Sequence, residues 1–347
     1  MSSKFNLKKD WGVRSLIIAE LSANHENDFN IVKNTIRAMA KSGADAVKVQ
    51  TYTADSLSID VSNKYYGPKK EGLWKGWRPY DLYKQASMPW EWQPKLKKIS
   101  EDLGMIFFST PFDFEAVHFL KNLKLEMYKI ASFEINDLPL IEKVASIGKP
   151  IIISTGLGDE QDIGKAIRAS RKMGNEKIAL LKCTSEYPAP IEHANLLTIP
   201  DMKKKFDTVV GVSDHSEGSV VPVVSTALGG KIIEKHFTLD KNAGGPDSSF
   251  SMEPKEFKEM VENVRKAEAS LGMVDYKVSN KDKLRRRSLF AVKDIKKGQL
   301  ISADDIRSVR PGYGLEPHKV EDVIGSRAKT NIKKGFPIND KSLAKLV

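Results

Sequence analysis

The sequence lacks the features of membrane-embedded, secreted or disulfide-bonded proteins. Its 347 residues include one cysteine, Cys183, which excludes internal disulfide bonds and is typical of a reducing compartment. No apolar run reaches the roughly 18 residues that a transmembrane helix needs. The first ten residues, MSSKFNLKKD, lack the apolar core of a signal peptide. We therefore expect a cytoplasmic globular protein with no membrane partner.

Acidic residues are in the minority, and the excess of positive charge lies at one end of the chain. The net charge is +11, and residues 281–347, with 17 basic and 8 acidic residues, contribute +9 of it. This segment has neither interleaved aromatic residues nor a zinc-ligand pattern, which nucleic-acid-binding modules commonly use. We expect no nucleic-acid partner, and we interpret the charge as surface charge that also helps to hold an anionic ligand.

What the sequence does contain is a regular alternation of strand-like and helix-like segments. Amphipathic stretches such as 29–42 and 160–173 separate eight apolar runs, and a last helix is predicted at 254–271. The eight predicted strands are residues 15–22, 46–52, 105–111, 127–132, 150–156, 178–185, 208–215 and 232–239. Eight successive βα units with such apolar strands predict an α/β fold, a (β/α)8 TIM barrel over residues 1–272.

One connection of this predicted barrel is much longer than the others. Residues 53–88 are rich in Tyr, Trp, Gly and Lys. Connections between strands and helices usually have only a few residues, and long ones are often functional. We interpret this segment as a loop on the substrate side of the barrel or as an oligomer contact.

The barrel pattern stops after residue 272. Residues 273–287 are polar, end in three consecutive arginines and are predicted to be a linker. Residues 288–347 contain two similar segments that begin at Ala291 and Ala328, each of which predicts a strand, a Lys-Lys-Gly turn and a second strand. We expect a small, mostly β module that gains stability by docking on a larger partner.

Two predicted strands that a short helix connects each carry a histidine, His215 and His236. The helical crossover makes these strands parallel neighbours, so the two imidazoles are predicted to lie side by side at their carboxyl ends. In a TIM barrel this end carries the active site. Such a pair either binds a divalent metal ion or makes only hydrogen bonds, and position alone leaves both possibilities open.

The other strand ends offer lysines, carboxylates and hydroxyls. Lys48 and Lys129 lie inside apolar strands, where lysines rarely serve solubility, and together with hydroxyls they suit a phosphate or a carboxylate. Glu20 and Glu134 supply carboxylates for sugar hydroxyls or proton transfer, or else only pair with the lysines. The remaining polar strand-end residues are Gln50, Thr110, Ser132, Ser154, Ser185, Tyr187 and Ser213. A single hydroxyl is more often a satisfied hydrogen-bonding group than a ligand, so the set carries the prediction.

Ordered motifs along nearly the whole chain resemble the sialic acid (nonulosonic acid) synthase family, in which a TIM barrel precedes an antifreeze-like (SAF) domain. The motifs are IAELSANH (18–25), GADAVKVQTY (43–52), YKIASFE (128–134), IISTG (152–156), LKCTSEYP (181–188), GVSDHS (211–216), IEKHFTLD (233–240) and RPGYG (310–314). AELSANH instead of the AEIGxNH of neuraminic acid synthases, and Ser248 where those enzymes usually have histidine, resemble the pseudaminic acid synthase branch. Asn27 stands where a glycine often follows the first motif, and asparagine tolerates a left-handed backbone.

The resemblance implies a condensation of phosphoenolpyruvate with 2,4-diacetamido-2,4,6-trideoxy-L-altropyranose, which yields pseudaminic acid and phosphate. N-acetylneuraminate and legionaminate synthases remain the alternatives. By motif, the residues around phosphoenolpyruvate are Lys48, Thr110, Lys129, Ser132, Ser154, Ser185 and Ser213, with Lys129 also catalytic. Ser185 stands where neuraminic acid synthases typically have asparagine.

The resemblance also implies a metal site, a sugar site and a dimer. His215 and His236 would hold a divalent ion, Mn²⁺ first and Mg²⁺ or Co²⁺ as alternatives. Arg310 resembles an arginine that the SAF domain of one protomer inserts into the site of its partner, which implies a domain-swapped homodimer. The residues that would face the sugar are Glu20, Gln50, Glu134, Tyr187 and Asp247. Either Glu20 or Glu134 would handle the proton of the attacking water.

Two other classes of function compete with this interpretation. A Schiff-base aldolase would use Lys48 or Lys129 as a nucleophile on a carbonyl and would need no metal. A non-enzymatic protein would use the C-terminal module to bind ice or a polysaccharide. The polar residues at all eight predicted strand ends argue against a mere binding protein, because binding by the module requires no such lining.

Overall fold

Eight parallel strands close into a barrel in the computed structural model of the chain, which describes residues 4–344. Each strand pairs with the next one in the chain, and the eighth pairs with the first. The strands are β1 Leu16–Glu20, β2 Ala46–Thr51, β3 Ile106–Pro111, β4 Tyr128–Ile130, β5 Ile151–Ser154, β6 Ile178–Cys183, β7 Val209–Asp214 and β8 Ile232–His236. The predicted (β/α)8 barrel is confirmed, and all eight predicted strands contain an observed one.

Helices follow the strands, and several begin at an aspartate whose side chain accepts a hydrogen bond from a first-turn amide. Asp28, Asp113, Asp137 and Asp159 are such caps, which satisfy amides that have no partner inside the helix. The helices of this unit are α1 Leu7–Asp10, α2 Phe29–Lys41, α3 Ala54–Leu57, α4 Pro79–Ala86, α5 Gln93–Asp102, α6 Phe114–Asn122, α7 Leu138–Ala145, α8 Glu160–Lys172, α9 Thr198–Phe206, α10 Val220–Ala227 and α11 Pro254–Leu271. No helix within residues 4–344 is long and apolar enough to cross a membrane.

The strands bury side chains on both faces. Successive side chains of a strand point to opposite faces, so Leu16 and Ile18 pack in the barrel interior, whereas Ile17 and Ala19 pack against the helices. Both clusters are almost free of solvent exposure. The same alternation turns Glu20, the last residue of β1, toward the interior at the carboxyl end of the barrel.

The loop after β1 is held in a left-handed conformation. Asn27, which follows the first motif where a glycine is common, has φ +52°, a conformation that asparagine adopts more readily than most residues. Asn27 N donates to His25 Nδ1 at 3.1 Å, and His25 Nε2 lies 2.9 Å from Ala86 O. The loop therefore fixes the carboxyl end of α4, which belongs to the long connection 53–88.

Residues 273–347 form a second compact unit, separate from the barrel unit, residues 1–272. Its elements are α12 Asn280–Lys283, β9 Ser288–Ala291, β10 Ile306–Val309 and α13 Val320–Val323, with β9 and β10 antiparallel. Every residue from 271 to 287 is exposed, and the predicted linker contains α12. The unit buries a small apolar core, which includes Leu289, Ile301 and Ile338.

The two similar segments of this second unit pair with each other. Ile295 and Ile332 exchange two backbone hydrogen bonds of 2.8 Å. Gly298 and Gly335 occupy the Lys-Lys-Gly turns at φ +82° and φ +84°, where other residues are strained. The two turns are as predicted. Most of the predicted strands beside them are not continuous strands, since their residues pair only through single β-bridges.

Candidate active site

A cluster of buried charges fills the barrel interior at the carboxyl ends of the strands. Lys48 Nζ lies 2.8 Å from Glu20 Oε2 and 3.4 Å from Glu234 Oε1. Lys48 also donates to Thr110 Oγ1 at 3.4 Å, and Ser213 Oγ donates to Glu234 at 3.1 Å. All five side chains are buried. Strand register causes this arrangement, since Glu20 is aligned with Lys48 and Ser213 with Glu234.

The two carboxylates of this cluster differ in their affinity for protons. Burial raises the pKa of Glu20, Lys48 opposes this effect and Glu234 adds to it, and the result is about 7. For Glu234, burial also raises the pKa, but the attraction of Lys129 and Lys48 outweighs it and lowers the pKa below its usual value. At neutral pH the cluster therefore contains an ionised Glu234 and a Glu20 that is partly protonated.

Lys129 extends the cluster on β4. Its side chain is buried, and Nζ donates to Ser154 Oγ at 2.6 Å and to Ile130 O at 2.8 Å. Burial lowers the pKa of Lys129. Two lysines of one barrel interior thus have hydroxyl groups as hydrogen-bond partners, an arrangement that suits an anion with several oxygens.

Two predicted hydroxyls converge on Gly156, in the connection after β5. Gly156 N donates to Ser132 Oγ at 3.1 Å. A Cβ atom at position 156 would clash with Ser185 Oγ and would lie 3.0 Å from Ser132 Oγ. Glycine is needed here because of this close approach, and any side chain would displace Ser132, Ser185 or both.

The two histidines lie side by side, as the crossover predicts. The ring centroids of His215 and His236 are 5.2 Å apart. His215 Nδ1 lies 2.8 Å from Thr184 O; a carbonyl only accepts, so Nδ1 donates and Nε2 is the ring nitrogen left for another partner. His236 Nδ1 is buried, has no hydrogen-bond partner within residues 4–344, and lies 3.9 Å from Asp247 Oδ2.

This pair fits a divalent metal ion that takes its remaining ligands from substrate and water. Burial together with His215 lowers the pKa of His236 well below its usual value, so its ring is neutral as a ligand must be. Burial also lowers the pKa of His215, but a hydrogen bond with Cys183 outweighs it and raises the pKa, so an ion bound by His215 would displace a proton from Nε2. Within residues 4–344 no group of three or more His, Cys, Asp or Glu residues is arranged to hold a metal.

A cavity of about 410 Å³ opens above the charged cluster and reaches His236. Four of the residues predicted to face the sugar line it, namely Gln50, Glu134, Tyr187 and Asp247. The structure joins two of these through Ser22: Gln50 Nε2 donates to Ser22 Oγ at 3.0 Å, and Ser22 Oγ donates to Asp247 Oδ2 at 2.5 Å. The Tyr187 ring lies 4.4 Å from the His215 ring. The cavity wall is thus partly aromatic and partly acidic.

Glu134 has the environment of a proton-transfer group. Its Oε2 atom is buried without a hydrogen-bond partner within residues 4–344. Burial raises the pKa of Glu134 and Lys129 opposes this effect, with a value of about 7 as the result. A carboxyl group with this pKa exchanges a proton readily at neutral pH.

A profile of the NeuB family matches residues 35–276, most of the barrel unit. The chain belongs to the NeuB family. A SAF domain profile matches residues 286–344, which include the paired segments of the second unit. Each of the two units therefore matches a profile of its own, the barrel unit that of the NeuB family and the second unit that of the SAF domain.

Relatives of this NeuB-family chain cover almost its whole length. A pseudaminic acid synthase of Campylobacter jejuni is 44% identical over 323 residues, which are 92% of this chain and 94% of the relative. A pseudaminic acid synthase of Helicobacter pylori is 41% identical over 327 residues, 93% of this chain and 96% of the relative. The crystal structure of an N-acetylneuraminic acid synthetase of Leptospira borgpetersenii, in complex with citrate, is 31% identical with a TM-score of 0.71, covering 82% of this chain and 95% of that one.

Sequence reasoning left several residues of this NeuB-family barrel out of the predicted site. Glu234 pairs with Lys48, Ser22 bridges Gln50 and Asp247, and Cys183 Sγ lies 3.8 Å from Ser185 Oγ. The alternation of side chains along a strand could have identified two of them, because residues two apart share a face. Glu234 lies two residues before His236, and Cys183 lies two residues before Ser185. No such signal identifies Ser22, since it lies in a loop at φ +47°.

Arg310 lies in the SAF unit, directly after β10, and is exposed. Its turn is fixed by a hydrogen bond of 2.9 Å from Gly312 N to Leu284 O and by Ser288 Oγ, which donates to Pro311 O at 2.8 Å. The glycine at position 312 has no positive φ; it is required because a Cβ atom would lie 2.6 Å from Lys283 O.

Proposed function

We propose that this NeuB-family chain is a transferase that condenses phosphoenolpyruvate with 2,4-diacetamido-2,4,6-trideoxy-L-altrose to form pseudaminic acid and phosphate. The 44% identity to a pseudaminic acid synthase over 92% of the chain carries the proposal. The motif AELSANH and Ser248 support this acceptor over N-acetylmannosamine. The reaction belongs in the cytoplasm, where a single free thiol is stable.

Phosphoenolpyruvate is assigned to the buried lysines. Its phosphate and carboxylate match Lys48 and Lys129, and hydroxyl donors supply further hydrogen bonds. The hydroxyls assigned to it are those of Thr110, Ser132, Ser154, Ser185 and Ser213. The raised pKa of Glu20 supports the assignment, because a partly protonated Glu20 leaves the charge of Lys48 for the incoming anion.

The acceptor sugar is assigned to the cavity next to this cluster. Asp247 and Gln50, which Ser22 connects, and the phenol of Tyr187 supply hydrogen bonds to hydroxyl and acetamido groups. A methyl group at C6 of the acceptor needs a less polar wall than a hydroxymethyl group. Leu57 and Leu82, both from the long connection 53–88, supply apolar surface to the lining.

A divalent ion is assigned to His215 and His236, with Mn²⁺ preferred and Mg²⁺ or Co²⁺ as alternatives. When bound, it supplies Lewis-acid polarisation of the aldehyde of the open-chain sugar. The hydrogen bond from His215 to Thr184 O supports this assignment, since it uses Nδ1, holds the ring in place and leaves Nε2 for the ion.

The reaction forms one C–C bond and breaks one C–O bond. C3 of phosphoenolpyruvate attacks C1 of the open-chain sugar, whose carbonyl oxygen takes up a proton, and positive charge develops at C2. Water adds to C2 and loses one proton, and the C2–O bond to phosphate then breaks as the remaining hydroxyl proton passes to the departing phosphate, which leaves a keto group. The ammonium groups of Lys48 and Lys129 hold the phosphate throughout.

We assign the proton of the attacking water to Glu134 instead of Glu20. Both carboxyl groups have a buried oxygen without a hydrogen-bond partner within the described residues, but Glu134 lines the cavity, whereas Glu20 is not in its lining and is paired with Lys48. The Glu134 pKa of about 7 places proton uptake within the working pH range. In this assignment Glu20 contributes to the binding of phosphoenolpyruvate and the sugar, and not to proton transfer.

Arg310 and the SAF unit are assigned to the site of a second protomer in a domain-swapped homodimer. An exposed arginine on a turn with fixed backbone contacts is suited to contact a ligand outside its own unit. Its positive charge suits the anionic substrate or product.

The test is phosphate release from phosphoenolpyruvate with a panel of acceptors. We expect a higher kcat/KM with the diacetamido altrose sugar than with N-acetylmannosamine or with the legionaminic acid precursor. Equal or higher values with either competitor would overturn the choice of acceptor. A Schiff-base aldolase is tested separately: treatment of the enzyme with substrate and borohydride, followed by removal of the reagent and assay with fresh substrates, should leave the activity unchanged, and chelation should abolish it.

A further inference from the structure

A short loop of the long connection 53–88 reaches the sugar cavity. Lys69 N donates to Trp77 O, and Gly76 N donates to Lys69 O, both at 2.9 Å, so residues 69–77 form a closed loop. Gly72 and Gly76 have φ +80° and +89°, which lets the chain reverse twice within this loop. The loop brings Lys69 and Trp74 to the lining of the cavity.

Trp74 is anchored to Pro246, which also lines the cavity. Its Nε1 donates to Pro246 O at 3.0 Å, and its ring centroid lies 5.6 Å from that of Tyr187. Tyr187 in turn contacts His215, with 4.4 Å between the ring centroids. The rings of His215, Tyr187 and Trp74 thus form a series of contacts from a predicted metal ligand to the loop 69–77, and Tyr187 and Trp74 line the cavity.

Lys69 is a cation in the lining of the same cavity. Its Nζ lies 4.6 Å from the centroid of the Trp74 ring. The side chain is partly buried, which lowers the pKa of Lys69. Lys48, deeper in the barrel, is paired with two carboxylates, whereas no carboxylate within residues 4–344 lies within 4 Å of Lys69 Nζ. An ammonium group next to an aromatic face, without a counter-charge, has donors available for a ligand.

We propose that Lys69 and Trp74 bind the acetamido group of the acceptor that lies farther from its aldehyde carbon, and so select diacetamido sugars. The inference rests on the proposed function. The acetyl methyl packs on the Trp74 ring, and Lys69 Nζ donates a hydrogen bond to the acetyl carbonyl oxygen. The aldehyde carbon must lie near His215 and His236, so the acetamido group on C4 extends farther toward the loop than the one on C2.

A neutral acetamido group fits this corner better than phosphoenolpyruvate does. The anionic substrate already has Lys48 and Lys129 as partners in the barrel interior. The methyl group of the acetamido group matches the aromatic face of Trp74, and its carbonyl oxygen matches the ammonium group of Lys69. Binding pockets commonly combine apolar surface with a few such polar groups. N-acetylmannosamine has a single acetamido group, next to its aldehyde carbon, and would leave the donor of Lys69 without this partner.

The experiment compares Lys69→Met and Trp74→Ala with two matched controls from the same connection. Lys64 Nζ lies 4.8 Å over the ring of Tyr65, outside the cavity lining, so Lys64→Met removes an equivalent cation–π pair. Trp77→Ala removes an exposed tryptophan that does not line this cavity. For each variant, KM and kcat are measured with the diacetamido altrose sugar, N-acetylmannosamine and phosphoenolpyruvate. Calorimetric binding of the alditol made by reducing the diacetamido acceptor gives a readout without turnover.

For each cavity variant we expect the ratio of kcat/KM for the diacetamido sugar to kcat/KM for N-acetylmannosamine to fall about tenfold. This is the effect of one hydrogen bond from a charged donor. Alditol affinity should fall equally, while the KM for phosphoenolpyruvate and both controls stay within about twofold of wild type. An unchanged preference in both variants, or a rise in the KM for phosphoenolpyruvate instead, would overturn the inference alone. A wild-type enzyme that does not turn over the diacetamido sugar would overturn the proposed function, and the inference with it.

Discussion

Individual residues of the site show how burial sets their chemistry. Glu134 and Glu20 both have a pKa raised to about 7 by burial, yet their neighbours differ. Glu20 is in contact with Lys48, whereas Lys129 acts on Glu134 only through its charge. The same desolvation therefore produces a charge-balancing group in one position and a candidate base in the other.

The Glu134→Gln variant tests this base. Because the pKa of Glu134 is raised to about 7, its ionised form is lost as the pH falls through 7, and kcat/KM should fall with it in the wild type. Lys129 and Asp137 are the charged groups that act on Glu134, and both stay in the variant. We expect Glu134→Gln to lose roughly 10²–10⁴-fold in kcat and to lose this limb of the pH profile. If the limb persists in Glu134→Gln and disappears in Glu20→Gln, the base is Glu20.

The His236→Ala variant tests the metal assignment. With two protein ligands, the loss of one should abolish turnover and weaken binding of the ion while the fold stays intact. Mn²⁺ binding is measured by calorimetry and folding by circular dichroism. His193→Ala is the control, because His193 is exposed and pairs with Glu186 at 2.9 Å. Near-wild-type activity of His236→Ala after chelation, with no metal added, would contradict the assignment.

At the scale of elements, a buried ion pair links strands β7 and β8 one residue before each of the two histidines. Lys235 Nζ donates to Asp214 Oδ2 at 2.6 Å and also to Ser216 O. Asp214 Oδ1 accepts from Ser216 N at 2.9 Å. Since Asp214 precedes His215 and Lys235 precedes His236, the pair fixes the two strand ends that position the imidazoles.

Removal of one partner of this pair should destabilise the barrel. Lys235→Met leaves the Asp214 carboxylate buried without a counter-charge, which costs about 3–5 kcal/mol of the free energy of unfolding. The exposed pair of Lys205 with Glu160 provides the control, and Lys205→Met should cost less than about 1 kcal/mol. Urea denaturation of the barrel unit measures both. A loss below 1 kcal/mol for Lys235→Met would show that the pair does not stabilise the strand ends.

At the scale of the whole molecule, the chain comprises a barrel unit and a SAF unit. The SAF unit buries a small core of its own, and the stability that it gains by docking on a larger partner stays a prediction. Its predicted contribution to function is Arg310. Whether that residue serves the same chain or a partner is a property of the assembly and calls for a test on mixed chains.

Mixed dimers of Arg310→Ala and His215→Ala chains provide this test. If Arg310 acts in the partner's site, each mixed dimer has one site with both defects and one with neither. Random assembly makes half of the dimers mixed, so about a quarter of wild-type activity should return. Each variant refolded alone is the control and should stay inactive. If Arg310 acts within its own chain, every site keeps one defect, and an inactive mixture would contradict the domain-swapped arrangement.

The sequence by itself determined the barrel, its strand order and the neighbouring positions of His215 and His236. Local patterns suffice for this, because apolar runs form buried parallel strands and right-handed crossovers place successive strands side by side. Alternation along each strand then identifies the inward face, and Lys48 and Glu20 lie on it. The choice of Asn27 at a left-handed turn is equally local.

Only the tertiary structure decided which distant side chains meet. Lys48 contacts Glu234, Trp74 bonds to Pro246 across 172 residues of sequence, and Gly156 is required by Ser185. Likewise, the pKa values of Glu20 and Glu134 depend on burial and on charges from other strands. These properties arise from contacts between elements far apart in the chain, and no pattern within a single segment encodes such contacts.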